Sequence, residues 1–359
     1  MMTEDGGQEF LTLAEVARAA RARLPKGPWD YLAGAAETET TLKRNRHALD
    51  TLAIRPRVCR DVSQVDTSVE LFGAKLDLPV MLAPVGSVET FVPGGGATAA
   101  RAAARSGAAQ MLSCVCNPGL EGVAQAADNL KIYQLYVRGD DDAIDAEVAR
   151  AIEHGYAAFC ITVDTAHYSR RERDLVNRFV KPWRQRAVGH NYQASFSWDN
   201  VKRFKDKHEI PFILKGIMTV DDAEIAVEHG VDGIYISNHG GRQLDHGLGT
   251  MDVFPEVARA VDGRALLFVD GSFMRGTDVF KAMAYGASAV GIGRLACLGL
   301  AADGEQGLVT TLGLLREELK IAMALCGVNR LDELTPDYLT PALSMTAPSA
   351  LSALPLIDA

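Results

Sequence analysis

The stretch Ser237-Asn238-His239-Gly240-Gly241-Arg242-Gln243-Leu244-Asp245 sets a base, a cation and two glycines within nine residues. His239 can carry a proton on or off near neutral pH. Arg242, three residues on, presents a planar fork suited to a carboxylate or phosphate. The glycine pair between them carries no side chains, which lets backbone and ligand approach closely. Together these residue types suit an acid that is to be oxidised or deprotonated. The run just before them, Gly233-Ile234-Tyr235-Ile236, is short, apolar and branched or aromatic, as a buried strand should be.

Positioning such a loop requires a scaffold, and the chain repeats a form that supplies one. Four times a helical pattern ends at glycine and a hydrophobic strand follows: Gly107 before Gln110–Leu112, Gly155 before Ala158–Ile161, Gly230 before Gly233–Ile236, and Gly286 before Ala289–Ile292. Glycine there supplies the left-handed turn that stops a helix. Further strands read at Leu78–Ala83, Ile132–Leu135, Pro211–Leu214 and Leu266–Val269, and Thr219 with Asp222 begins a helix as a capping box would. Eight strands alternating with helices predict an α/β fold, a (β/α)8 TIM barrel, at about 76–330. One domain is expected to span 1–359, with N-terminal helical additions over about 10–75, including a helix near Leu13–Arg23. A C-terminal tail of about 335–359 either wraps the barrel or hangs loose.

A barrel keeps its chemistry at the carboxyl ends of its strands. Polar groups stand at seven consecutive ends: Ser113; Gln134 and Tyr136; Thr162 and Asp164; Lys215; His239; Asp270-Gly271; Gly293-Arg294. The last two match the usual barrel phosphate site, so a phosphorylated cofactor is implied. Composition bounds the partners. The formal charge of −9 disfavours nucleic acid and anionic membranes, and no apolar run reaches membrane-spanning length. Met1 to Phe10 is acidic and polar, unlike a signal peptide. Six scattered cysteines, with Cys114 and Cys116 too close and too alone for a zinc knuckle, suggest reduced thiols in the cytoplasm and no metal.

These motifs, in this order, resemble the FMN-dependent 2-hydroxy-acid oxidase and dehydrogenase family, which includes glycolate and lactate oxidases, lactate monooxygenase and mandelate dehydrogenase. The resemblance runs from about residue 12 to 334. It rests on Ser237–Asp245, supported by Thr162-Val163-Asp164-Thr165, Gln134-Leu135-Tyr136, Leu214-Lys215-Gly216, Asp270-Gly271 and Gly291-Ile292-Gly293-Arg294. It implies FMN as cofactor and oxidation of an (S)-2-hydroxy acid to the 2-oxo acid, with electrons passing to oxygen or another acceptor. It implies His239 as the base at the α-carbon, Asp164 as its partner, and Lys215 facing the flavin to stabilise charge made on reduction. Arg171 and Arg242 would hold the carboxylate, and Tyr31 and Tyr136 would hydrogen-bond the substrate. Pro84, Val85, Gly86, Ser113, Gln134, Thr162 and Ser237 would line the flavin ring. Asp270, with Gly271 and Ser272, would take the ribityl chain, and Gly293 and Arg294 the phosphate. A homotetramer is implied by resemblance alone.

Taken singly, several of these residues have plainer readings. Asp164 could cap the following turn, Arg171 belongs to the charged run Arg170–Arg173, and Tyr31 could simply pack helices on the barrel. Cys114 and Cys116 read as core. The chain also departs from the family. Ser272 and Met274 stand where a glycine and a phosphate-binding arginine are usual, and Arg275 is expected to point elsewhere, so weaker flavin retention is predicted. Gly86 replaces a common alanine and Val115 a tryptophan, and Pro93-Gly94-Gly95-Gly96 replaces a Pro-Glu-Gly pattern, which leaves acceptor and substrate size open. The segment Phe179 to Ser197, with Lys181, Trp183, Arg184 and Arg186, suggests a small basic lid. The ending Leu-Ile-Asp-Ala is no peroxisomal address. An FMN-dependent isomerase and a catalytically altered flavin-binding barrel are the competing readings.

Overall fold

Gly107, Gly155, Gly230 and Gly286 all take positive φ (62°, 73°, 71° and 93°), turning the chain from a helix into a strand as their sequence contexts suggest. The computed structural model describes residues 10–182 and 192–358, so Trp183, Arg184 and Arg186 of the expected lid lie outside the described residues. Eight strands form a closed parallel barrel. They are β1 (Val80–Leu82), β2 (Ala109–Ser113), β3 (Lys131–Leu135), β4 (Ala158–Thr162), β5 (Phe212–Ile217), β6 (Gly233–Ile236), β7 (Leu266–Val269) and β8 (Ala289–Ile292). Neighbouring strands pair in chain order and β8 closes on β1 through Val290 opposite Val80. Helices follow the strands on the outside, so the fold is a (β/α)8 TIM barrel.

The core has two parts. Inside the barrel pack Met81, Met111, Ile132, Cys160, Ile213, Tyr235 and Phe268, all fully or almost fully buried. A larger apolar layer fills the space between strands and helices. The N-terminal extension is not purely helical, contrary to expectation. Helices at Leu13–Arg23, Lys26–Ala33 and Thr40–Asp50 are followed by a short strand, Leu52–Ile54, and a hairpin of Val69–Leu71 with Ala74–Leu76. The hairpin turns at Phe72-Gly73, both at positive φ, and buries Leu71 and Leu76 against the barrel interior. It plugs the end opposite the strand carboxyl termini, where Met81, Ala109 and Phe268 would otherwise meet water.

Thr12 and Glu15 form a reciprocal capping box on the first helix. At Thr219 the hydroxyl accepts from the Asp222 amide at 3.1 Å and donates to the Asp222 carboxylate at 2.8 Å. That caps the helix Val220–Glu228 without the reciprocal backbone bond of a full box. The tail wraps: Leu339–Pro341 pairs antiparallel with Leu52–Ile54, and Leu354 is fully buried, whereas Leu343 and Met345 are exposed. No helix among the described residues is long and apolar enough to cross a membrane.

Candidate active site

His239 sits directly beyond β6 with φ +61°, a left-handed conformation that costs a non-glycine residue on the order of 1–3 kcal/mol. The surroundings over-determine it. Its amide donates to Ser237 Oγ at 3.1 Å, its Nδ1 lies 3.0 Å from Asp164 Oδ1, and its Nε2 lies 3.3 Å from the Tyr136 hydroxyl. The following glycines are also needed by the protein itself, while Gly240 lines the cavity. A Cβ on Gly241 would sit 2.5 Å from the Leu42 amide, and one on Gly240 would sit 2.7 Å from Arg294 Nη1. Gln243 donates to the carbonyls of Asp164 and His167 (3.1 and 3.0 Å), so the same loop aligns β4's end. Asn238 exchanges hydrogen bonds with Asn45, and Asp245 accepts from Thr38 and Thr41, which pins the loop to the N-terminal helices.

Asp164 reaches His239 because β5 bends away beneath it. The pairing of β5 with β6 slips between Lys215 and Ile217, and Gly216 has φ +116°. A Cβ there would lie 2.7 Å from the Asp164 Cβ. Burial alone would raise the Asp164 carboxyl, but His239, Lys215 and Arg171 outweigh it and hold it below the usual carboxylate range. For His239, burial pushes the ring below its ordinary value, and Lys215 and Arg171 add to this against the opposing pull of Asp164. At neutral pH the ring is therefore a neutral base beside an ionised carboxylate.

Lys215 stands two residues before the end of β5 and is almost completely buried. Its ammonium donates to Ser237 Oγ at 2.7 Å and lies 3.6 Å from Asp270, while Ser237 donates to Asp270 at 2.7 Å. Burial would lower its pKa, but Asp270 and Asp164 more than compensate and keep it charged. On the other side of His239, Tyr31 donates to the Gly86 carbonyl at 3.0 Å, and its ring stacks on Phe91. Burial raises the Tyr31 hydroxyl to about 12 despite Arg242 and Arg171, and burial likewise raises Tyr136, so both are proton donors. The Arg242 guanidinium lies 4.9 Å from the Tyr31 ring centroid and donates to the carbonyls of Tyr31 and Gly34. Arg171 donates to Arg242's carbonyl and to Gln243. The cavity thus formed encloses about 920 Å³ of non-atom space, open solvent included.

A parallel barrel carrying this His–Asp pair, a buried lysine and paired arginines has known relatives. The FMN-dependent dehydrogenase family matches residues 20–341. The chain belongs to that family. Glycolate oxidase 3 of Arabidopsis thaliana is 37% identical over 367 residues, covering 93% of this chain and all of the relative. The glycolate oxidase of Spinacia oleracea is 36% identical over 353 residues, covering 92% and 96%. Among solved structures, a mandelate oxidase with benzoyl-formic acid aligns at TM-score 0.87 and 36% identity, over 94% of this chain and all of that one. The chain is accordingly an FMN-dependent oxidoreductase.

The residues of this family member fit the flavin. Both amide atoms of Gln134, fully buried at β3's end, lack any partner, as do Thr162 Oγ1 at β4's end and Ser272 Oγ after β7. Buried polar groups are rarely left so, and their position at the strand ends suits the polar rim and ribityl chain of FMN. Pro84, Val85, Gly86, Tyr31, Tyr136, Arg171 and Lys215 all line the cavity, together with His239, Arg242, Asp270–Ser272, Gly293 and Arg294. Asp164 and Ser237 act from behind, through His239 and Lys215, and Ser113 lines an adjoining space bounded by Ala83, Val85 and Cys297. After β7 Met274 is buried and lines the cavity, while Arg275 is turned to Glu318 at 2.6 Å, pointing elsewhere as expected from the sequence. Arg294 donates to the carbonyls of Leu32 and Gly34, and burial with Arg242 nearby pushes it down to about 9.

Sequence reading passed over Phe91, Tyr168 and Cys297, which also line the cavity. A lone aromatic or thiol carries no local signal of where its ring or sulfur will point. Lys181, which the sequence suggests as part of a basic lid, is buried over the Tyr31 ring.

Proposed function

We propose that this chain oxidises an (S)-2-hydroxy acid to the 2-oxo acid, with His239 as the base. The observation that carries the reading is His239 itself: a neutral imidazole lining the cavity, its Nδ1 on Asp164 and its Nε2 toward Tyr136, close to two arginines. Oxidising a carbinol to a carbonyl removes two electrons and two hydrogens, and one of these leaves as a proton. His239 Nε2 takes that proton, and Asp164 stabilises the resulting imidazolium. Arg242 and Arg171 hold the substrate carboxylate, and Tyr31 and Tyr136 donate to its oxygens. Lys215 stabilises negative charge developing on the cofactor side of the cavity. FMN, when bound, supplies the two-electron acceptor and passes the electrons to oxygen or another acceptor.

The glycolate and mandelate oxidases among its relatives favour a small to medium acid such as glycolate, lactate or mandelate. Six free cysteines support a reducing compartment, the cytoplasm, and a homotetramer rests on the family resemblance. The test is anaerobic mixing of the purified flavoprotein with a panel of 2-hydroxy acids, including both enantiomers of lactate and mandelate. One enantiomer should bleach the flavin band, and His239→Ala should slow bleaching by ~10²–10⁴-fold. Bound FMN that no acid bleaches would sink the reading.

A further inference from the structure

Two tyrosine rings at the substrate end of the cavity are each shared by two cations. Lys181 Nζ lies 4.6 Å and Arg242 Cζ 4.9 Å from the Tyr31 ring centroid. Lys181 Nζ lies 5.7 Å and Arg171 Cζ 5.3 Å from that of Tyr168. Lys181 is only 4% exposed, so its amine has exchanged water for two ring faces and the Asp174 carboxylate at 3.4 Å. Two guanidinium cations and this amine thus converge where a carboxylate is to bind, with the Asp174 carboxylate beside them. A lysine needed only for packing would gain by sending its charge to water, since burying an ammonium is costly.

We propose that Lys181 is a further positioning residue for the substrate: through the Tyr31 and Tyr168 rings it closes the carboxylate end of the cavity, and it takes up a proton as the carboxylate enters. This rests on the 2-hydroxy-acid reading above. Among the described residues, the groups facing Lys181 are Asp174 from the helix Glu172–Val176, Arg171 at that helix's start, Arg242 after β6, Tyr31 from the helix Lys26–Ala33, and Tyr168 after β4. Burial first, then Arg171 and Arg242, push the amine down to about 6, and Asp174 offsets this only in part. At pH 7 the amine is therefore mostly neutral. An incoming carboxylate adds the missing negative charge and raises its proton affinity. The sign follows: below about pH 6 the ammonium is already present, and above it binding draws a proton and weakens as pH rises.

The experiment is calorimetric titration of the flavin-loaded protein with benzoylformate at pH 7, in two buffers of different ionisation heat. Glyoxylate serves if the cavity refuses an aromatic acid. Proton uptake approaching one per carboxylate is expected, with Kd rising roughly 20- to 50-fold from pH 6 to pH 8. Lys181→Met should abolish both the uptake and the pH dependence. Lys181→Arg should keep tight binding without uptake, and it remains informative if the methionine variant folds poorly. Binding without uptake, or uptake that survives in both variants and so belongs to His239, overturns the inference while leaving the proposed reaction standing. Failure of every acid both to bind and to bleach the flavin removes the reaction and this inference together.

Discussion

Arg294→Met should nearly abolish this chain's preference for FMN over riboflavin. Four cations line the cavity among the described residues: Lys215, Arg171, Arg242 and Arg294. Lys215 is engaged with Ser237 and Asp270, and Arg171 and Arg242 stand at the end of the cavity proposed for the carboxylate. Met274 contributes no charge, Arg275 is held by Glu318, and Arg46 is held by Asp278 and Asp50. The phosphate of FMN is therefore expected to depend on Arg294. One hydrogen bond to a charged group contributes about 1.5–3 kcal/mol, which corresponds to about 10- to 150-fold in Kd. Fluorescence titration of apo-protein with both flavins should give a riboflavin-to-FMN Kd ratio in that range. In Arg294→Met the ratio should fall close to unity, with the riboflavin Kd itself within about twofold of the original. A ratio above about 10³, or one unmoved by the substitution, would refute the reasoning, because some other group would then hold the phosphate.

Asp164→Asn removes the carboxylate 3.0 Å from His239 while keeping its shape, so stopped-flow flavin bleaching should slow by ~10²–10⁴-fold with little change in substrate affinity. Because burial, Lys215 and Arg171 hold His239 below its ordinary value, the active neutral ring persists into mild acid. The acid limb of kcat/KM should thus fall below the ordinary histidine value of about 6.5, and Asp164→Asn should move it lower still. A limb at or above 7 would contradict the assignment of the base. Gly86→Ala would place a Cβ 2.6 Å from Val115 Cγ2, costing about 1–3 kcal/mol of stability. Thermal unfolding should show most of that recovered in the double variant with Val115→Ala.

The barrel was legible because its signals are local. Each strand is a short apolar run bounded by turn residues, and Gly107, Gly155, Gly230 and Gly286 announce the turns through a backbone freedom that other residues lack. The positions of His239, Asp164 and Lys215 followed from the rule that strand carboxyl ends carry chemistry. Less was legible in the extension before β1. Leu71 and Leu76 belong to a short hairpin with weak alternation, and only the open end of the barrel gives their burial a purpose.

The sequence by itself determined the order of strands and helices, the residue types at the strand ends, and the run Ser272-Phe273-Met274-Arg275 after Asp270-Gly271. Tertiary structure alone decided which of these meet. Asp164 and His239 are separated by 75 residues and touch only because β5 slips at Gly216. Arg242 and Arg294 converge on the Gly34 carbonyl from more than 200 residues away. Lys181 becomes a substrate-side group only where Tyr31 and Tyr168 converge on it. Turn chemistry and periodicity act over a few residues and survive in the sequence. Burial, charge crowding and the pKa shifts they cause depend on neighbours supplied by distant segments, and they exist only once the chain has closed.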